Sequence, residues 1–168
     1  LDIDDEALSD IALMLGADVP MCLASKPLIA QGIGEEITLL PKFPQLPLVL
    51  VNPLRGVSTP QIFRLLENKQ NAPLPALSVD QSESWLLSMA SLRNDLQPPA
   101  ITLLPEIGDM LAMLRSEGAD VARMSGSGAT CFGIFSSWQK AEAAAAAIRE
   151  RKPGWYVQET RTIAGRTS

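Results

Sequence analysis

Histidine is missing from all 168 residues. Imidazole acid–base catalysis and histidine metal ligation are therefore excluded. Cysteine is nearly as scarce. Cys22 and Cys131 are the only two, far apart and outside any C-x-x-C spacing, so a structural zinc site lacks ligands. Both read as reduced, small buried hydrophobes of a cytoplasmic protein. No apolar run approaches the ~20 residues of a membrane helix, and no basic segment leads into an apolar stretch as in a secretory signal. Positive charge is also short. Fourteen Lys and Arg against nineteen Asp and Glu leave a net charge of −5. That balance argues against a nucleic-acid partner but leaves room for a local basic pocket, and the lack of a long apolar run argues against a membrane one. Any catalysis falls to Asp, Glu, Lys, Ser or Thr. The chain opens on Leu1 rather than Met, which reads as a processed or truncated product.

Hydrophobic residues make up 46% of the chain, enough for one good core, or for one domain and part of another. Leu8, Ile11, Ala12 and Leu15 follow helical spacing, which predicts a helix over 4–15 ended by Gly16. Residues 28–40 read as a hairpin bending near Gly32 and Gly34, with Ile37 and Leu39 on one side. Pro41, Pro44 and Pro47 then mark a domain junction. Leu48–Val51 reads as a central strand, followed by a helix opened by Pro60 with Ser58 or Thr59 as N-cap. A further helix is expected over about 82–91, and Pro98-Pro99, after Asn94-Asp-Leu-Gln97, is expected to interrupt any helix there. Pro105 opens a helix carrying Ile107, Met110, Leu111 and Leu114 on one face and ended by Gly118. Strands follow over 121–124 and 131–135. Ser136 and Gln139 form a capping box for the alanine-rich helix. A last strand spans 155–160, and the tail from Ala164 is expected to fray. This order predicts an α+β fold, an antiparallel sheet covered by helices.

The most informative stretch is Arg123-Met-Ser-Gly-Ser-Gly-Ala-Thr130, set between two strands. Gly126 and Gly128 lack Cβ and allow a ligand close to the backbone. Convergent N–H groups there can hold an anion, and Ser125, Ser127 and Thr130 add hydroxyls. The loop is either a phosphate contact or only a tight strand connection. Asp18, in Gly-Ala-Asp-Val-Pro20, is either a general base aimed at a substrate hydroxyl or a carboxylate bonded to its own turn. Thr59 and Phe63 are either a hydrogen-bond donor and a ring contact, or parts of an ordinary capped helix with a core phenylalanine. Asn94 and Asp95 read as turn caps. Lys26 and Arg55 read as surface charges able to neutralise a phosphate, and Glu35 and Glu36 as hairpin-edge charges.

Four segments occur in a fixed order: Gly-Ala-Asp-Val-Pro at 16–20, Gly-Val-Ser-Thr-Pro at 56–60 with Phe63, Asn94-Asp95-Leu96, and Ser-Gly-Ser-Gly-Ala-Thr at 125–130. Together they resemble the C-terminal part of a GHMP kinase over roughly residues 8–160. The resemblance is closest to the branch of non-mevalonate isoprenoid biosynthesis that uses ATP and Mg²⁺. That branch phosphorylates a methylerythritol hydroxyl on a small-molecule cytidyl diphosphate substrate. It implies Asp18 as the catalytic carboxylate, Thr59 and Phe63 as substrate-pocket residues, and Ser125, Gly126, Ser127 and Gly128 as the phosphate loop, with no protein metal ligand. It implies that residues 1–44 are the remnant of an S5-like kinase domain and 45–168 a ferredoxin-like domain. A non-catalytic ferredoxin-like interaction module, or a GHMP kinase with another acceptor alcohol, are the alternatives. Without a partner domain, Leu8, Ile11, Leu15, Ile37 and Leu39 would be exposed and would drive self-association.

The family's glycine–serine ATP loop and its N-terminal lysine have no counterpart in this sequence. Phosphoryl transfer depends on positioning and neutralising the γ-phosphoryl group. The chain alone is therefore expected to show no turnover when incubated with ATP, Mg²⁺ and the cytidyl substrate. Turnover at ordinary kinase rates in that assay would refute the expectation.

Overall fold

The computed structural model describes residues 8, 11–12, 14–16, 19–32, 34, 36–68, 70–72, 74 and 84–165. They fall into two compact units, Leu1–Gln45 with Ile163–Ser168, and Leu46–Thr162. No described helix is long and apolar enough to cross a membrane.

In the first unit, Leu8, Ile11, Ala12, Met14 and Leu15 are helical, and the rest of the expected 4–15 helix lies outside the described residues. A short helix α1 (Val19–Ala24) follows directly, which the sequence reading did not anticipate. Pro20 sits in its first turn, where a missing N–H costs no intrahelical bond. Strands β1 (Leu28–Gln31) and β2 (Glu36–Leu39) pair antiparallel, with Leu28 opposite Leu39 and Gln31 opposite Glu36. Glycines 32 and 34 take positive φ at the bend, as the hairpin reading requires. Leu8, Ile11, Leu15 and Leu39 are exposed and Ile37 is half-buried. The tail is ordered further than expected, because the Gly165 N–H donates to the Phe43 carbonyl at 2.8 Å.

The second unit is a four-stranded antiparallel sheet with helices on it. Strand β3 (Pro47–Asn52) leads through α2 (Thr59–Leu65), α3 (Ser84–Ser91), α4 (Gln97–Leu103) and α5 (Glu106–Ser116) to β4 (Val121–Met124) and β5 (Cys131–Ile134). Then come α6 (Trp138–Arg151) and β6 (Tyr156–Arg161). The sheet order is β4-β5-β3-β6 with β3 central, the βαββαβ arrangement of ferredoxin-like folds. In register, Val51 lies opposite both Cys131 and Val157, and Arg123 opposite Phe132.

Helix α5 packs on β4 and β5, and α6 on β3 and β6. On α5, Ile107, Met110, Leu111 and Leu114 are buried, the stripe that 3.6-residue spacing dictates. On α6 the buried positions are Ala141, Ala144, Ala145 and Ile148. The small alanines let that helix approach the sheet closely while keeping high helix propensity. The core continues through Val49, Val51, Ile62, Met124 and Cys131.

Three local expectations need correction. Pro98-Pro99 opens α4 rather than interrupting a helix, since both prolines fall in its first turn. The N-cap of α6 is Ser137, whose hydroxyl accepts from Lys140 N, while Ser136 Oγ accepts from the Lys140 ammonium. Ser58 occupies the N-cap position of α2 but makes no side-chain cap bond.

The cysteines also divide. Cys131 is buried, as expected, but Cys22 is exposed on α1. Burial holds the Cys131 thiol up at about 12, against the opposing charge of Arg115. In the native protein at pH 8, Cys22 is therefore expected to react with a maleimide while Cys131 reacts only after unfolding. Equal labelling rates for both, read by mass spectrometry of the peptides, would contradict this burial.

Candidate functional site

The glycine loop leaves the sheet between two buried residues. Met124 ends β4 and Cys131 begins β5, and the two lie opposite each other. Between them, Ser125 N donates to the Thr130 carbonyl at 2.8 Å and Gly128 N to the Ser125 carbonyl at 2.9 Å. Gly126 and Gly128 have φ of +54° and +91°, values that disfavour any residue with a Cβ. A Cβ on Gly128 would lie 2.8 Å from the sulfur of Met124. Among the described residues, nothing accepts from the Gly126 and Ser127 N–H groups.

Two side chains hold the loop from outside. The Asn94 carboxamide donates to the Met124 carbonyl at 2.9 Å and to the Gly126 carbonyl at 2.8 Å. Its oxygen accepts from Leu96 N at 3.0 Å, which fixes which end is nitrogen. Gln97 Oε1 accepts from Met124 N at 3.0 Å. Asn94 thus caps its turn, as the sequence suggested, and also binds the loop, which the sequence did not reveal. On the inner side, Asn52 Nδ2 donates to Thr130 Oγ1 at 2.8 Å.

The structure brings most of the named residues together. Thr59, at the start of α2, shares a 2.8 Å hydrogen bond between its hydroxyl and that of Ser127. Phe63, one turn along the same helix, is 49% exposed and so is not a core residue. It lines an open groove of about 680 Å³ together with Leu66, Arg123, Ser125, Gly126 and Phe132. Arg123 donates to the Met89 carbonyl at 2.6 Å, has no acidic partner among the described residues, and has its pKa lowered by burial. Arg93 in the same groove is neutralised by Asp95. Arg55 forms an ion pair with Glu106, and Lys26 is exposed in the first unit. Asp18 and Glu35 lie outside the described residues. Among the described residues no cluster of acidic or thiol side chains could hold a metal ion.

Comparison with known proteins agrees in sequence and in fold. Residues 74–154 match the family model described as GHMP kinases C terminal. The 4-diphosphocytidyl-2-C-methyl-D-erythritol kinase of Agrobacterium fabrum is 56% identical over 163 residues, covering 96% of this chain and 54% of the relative. Over residues 74–154 the chain carries a match to the C-terminal domain of GHMP kinases. A Rhizobium etli relative of the same name is also 56% identical, over 95% of this chain and 53% of its own length. A crystal structure of 4-(cytidine 5'-diphospho)-2C-methyl-D-erythritol kinase superposes with a TM-score of 0.77 at 30% identity, covering 95% of this chain and 57% of that one. Homoserine kinase from Cytophaga hutchinsonii shares the fold at a TM-score of 0.63 and 17% identity. The chain spans about half the length of the curated relatives it matches.

The crowded position of Gly128 yields a stability test. Gly128→Ala is expected to cost about 1–3 kcal/mol in urea unfolding, from an unfavourable φ and overpacking against Met124. A loss under about 0.5 kcal/mol would show that Met124 moves aside freely.

Proposed function

We propose that this chain is the C-terminal part of a kinase that transfers the ATP γ-phosphoryl group to a hydroxyl of 4-diphosphocytidyl-2-C-methyl-D-erythritol. Such a reaction belongs to cytoplasmic non-mevalonate isoprenoid biosynthesis. The observation that carries this reading is the hydrogen bond between Thr59 and Ser127. It joins the segment assigned to the cytidyl substrate to the segment assigned to phosphate, and Phe63 continues the same groove. The 56% identity to kinases of that name favours it over a non-catalytic interaction module or a different acceptor alcohol.

In this reading, residues 1–44 are the tail of an S5-like domain and residues 45–168 the ferredoxin-like domain. Apolar residues at the surface of the first unit would promote self-association of the chain alone. The loop fits a phosphate, since its glycines allow close approach and the Gly126 and Ser127 N–H groups have no acceptor among the described residues. Ser125 and Ser127 add hydroxyl donors. Thr59 and Phe63 hold the cytidyl end, Phe63 by stacking. Asp18 takes or orients the proton of the acceptor hydroxyl as the new O–P bond forms and the bond to ADP breaks. The described residues offer no ligand set for Mg²⁺. That ion is ordinarily held largely by substrate phosphates and water.

The test is a fusion in which the remaining, unmatched portion of the Agrobacterium fabrum relative precedes Leu1. ATP-dependent phosphorylation of the cytidyl substrate is expected in the fusion. It should fall by about 100-fold or more in its Asp18→Asn variant. A folded, monodisperse fusion that transfers no phosphate would overturn the proposal.

A further inference from the structure

Asn94 does more than cap a turn. Its carboxamide nitrogen reaches two carbonyls, those of Met124 and Gly126, on either side of Ser125. A trans peptide points its C=O and N–H in opposite directions across one rigid plane. The Gly126–Ser127 peptide is trans, the single cis bond among the described residues being Gly128–Ala129. Holding the Gly126 carbonyl toward Asn94 therefore holds the Ser127 N–H away from it.

That constraint is needed because of the residue type. Gly126, at φ +54°, has no Cβ to resist rotation of the following peptide plane, and a Cβ built there meets nothing within 4 Å. Left alone, the peptide could turn over and present carbonyl lone pairs where the N–H now stands. An anion would then meet an acceptor instead of a donor. Asn94 is itself fixed, through Leu96 N on its oxygen, so the clamp is anchored on the turn that begins α4. The Thr59–Ser127 hydroxyl bond holds the same residue from the other side.

We propose that Asn94 is a positioning residue. By locking the Gly126 carbonyl, it keeps the Ser127 N–H in the orientation that receives a phosphate oxygen. This inference rests on the phosphate-loop reading above. Asn94→Asp separates the two duties of the side chain. A carboxylate still accepts from Leu96 N but cannot donate to either carbonyl, and it repels both.

The orientation can be read directly on the 168-residue chain by NOEs from the Ser127 amide proton, which sense the side of the loop that proton faces. In Asn94→Asp the Ser127 amide NOEs are expected to change while those of β4 and β5 stay fixed. Unchanged Ser127 amide NOEs would overturn the clamp. If the charged variant does not fold, the uncharged Asn94→Ala gives the same readout. In the active fusion, Asn94→Asp is expected to lower kcat by about 10- to 100-fold with KM for the cytidyl substrate changed less than about threefold. Full kcat in that variant would overturn the role in positioning phosphate. A wild-type fusion without any transfer overturns both the kinase reading and the phosphate role, and it is distinguished from a failed clamp because the amide NOEs do not depend on turnover.

Discussion

One sheet face takes the apolar stripes of two helices, and the remainder of the second unit follows from that packing. Leu114 and Met110 of α5 and Ile148 of α6 are fully buried. Each such side chain contributes about 1.5–3 kcal/mol of transfer free energy relative to exposure. The same burial fixes the loop. Met124 and Cys131 belong to this core, so both ends of the glycine turn are set by packing before any polar contact is made. Gly133 is another tight point, where an added Cβ would lie 2.9 Å from Leu114 and 3.1 Å from Ala119. There the absence of a side chain lets α5 settle onto β5.

On that base the site is assembled from short-range contacts of different kinds. Strand packing sets where the loop begins and ends, and two carboxamides set which way its peptides face. A hydroxyl pair then ties the loop to α2. The groove beside it has apolar walls from Phe63, Leu66 and Phe132 and one half-buried guanidinium, Arg123, without an acidic partner among the described residues. A charge that loses water without gaining a counter-charge is costly. The groove is thus suited to an anionic molecule with a flat or apolar portion.

The regular elements were legible because their signals are local and periodic. The α5 stripe from Ile107 to Leu114, the hairpin glycines and the short Leu48–Val51 run each fix an element by spacing alone. What was misread depended on position within a turn. A proline ends a helix or opens one according to whether its missing N–H falls inside the ladder or before it, and Pro98-Pro99 lies before it. The α6 cap moved by one residue because two adjacent serines are equivalent on paper. Phe63 gave no sign of being exposed, since its spacing fits the buried side as well as the open one. The second role of Asn94 was invisible for another reason. Its partners lie thirty and thirty-two residues away, and no local pattern carries that distance. Cys22 was misjudged from the general preference of cysteine for interiors, which says nothing of a particular short helix.

The outer margin of β4 has a further consequence. Three outward backbone groups there are already occupied: Met124 N by Gln97, Met124 O by Asn94, and Ala122 O by Arg115. At the opposite margin Arg149 occupies the carbonyl of Val157 on β6. Unpaired strand margins are templates for adding foreign chain and for fibrillar growth. Side chains bonded to three groups of the β4 margin obstruct such recruitment there. The amides that organise the loop thereby also hinder strand addition along that border.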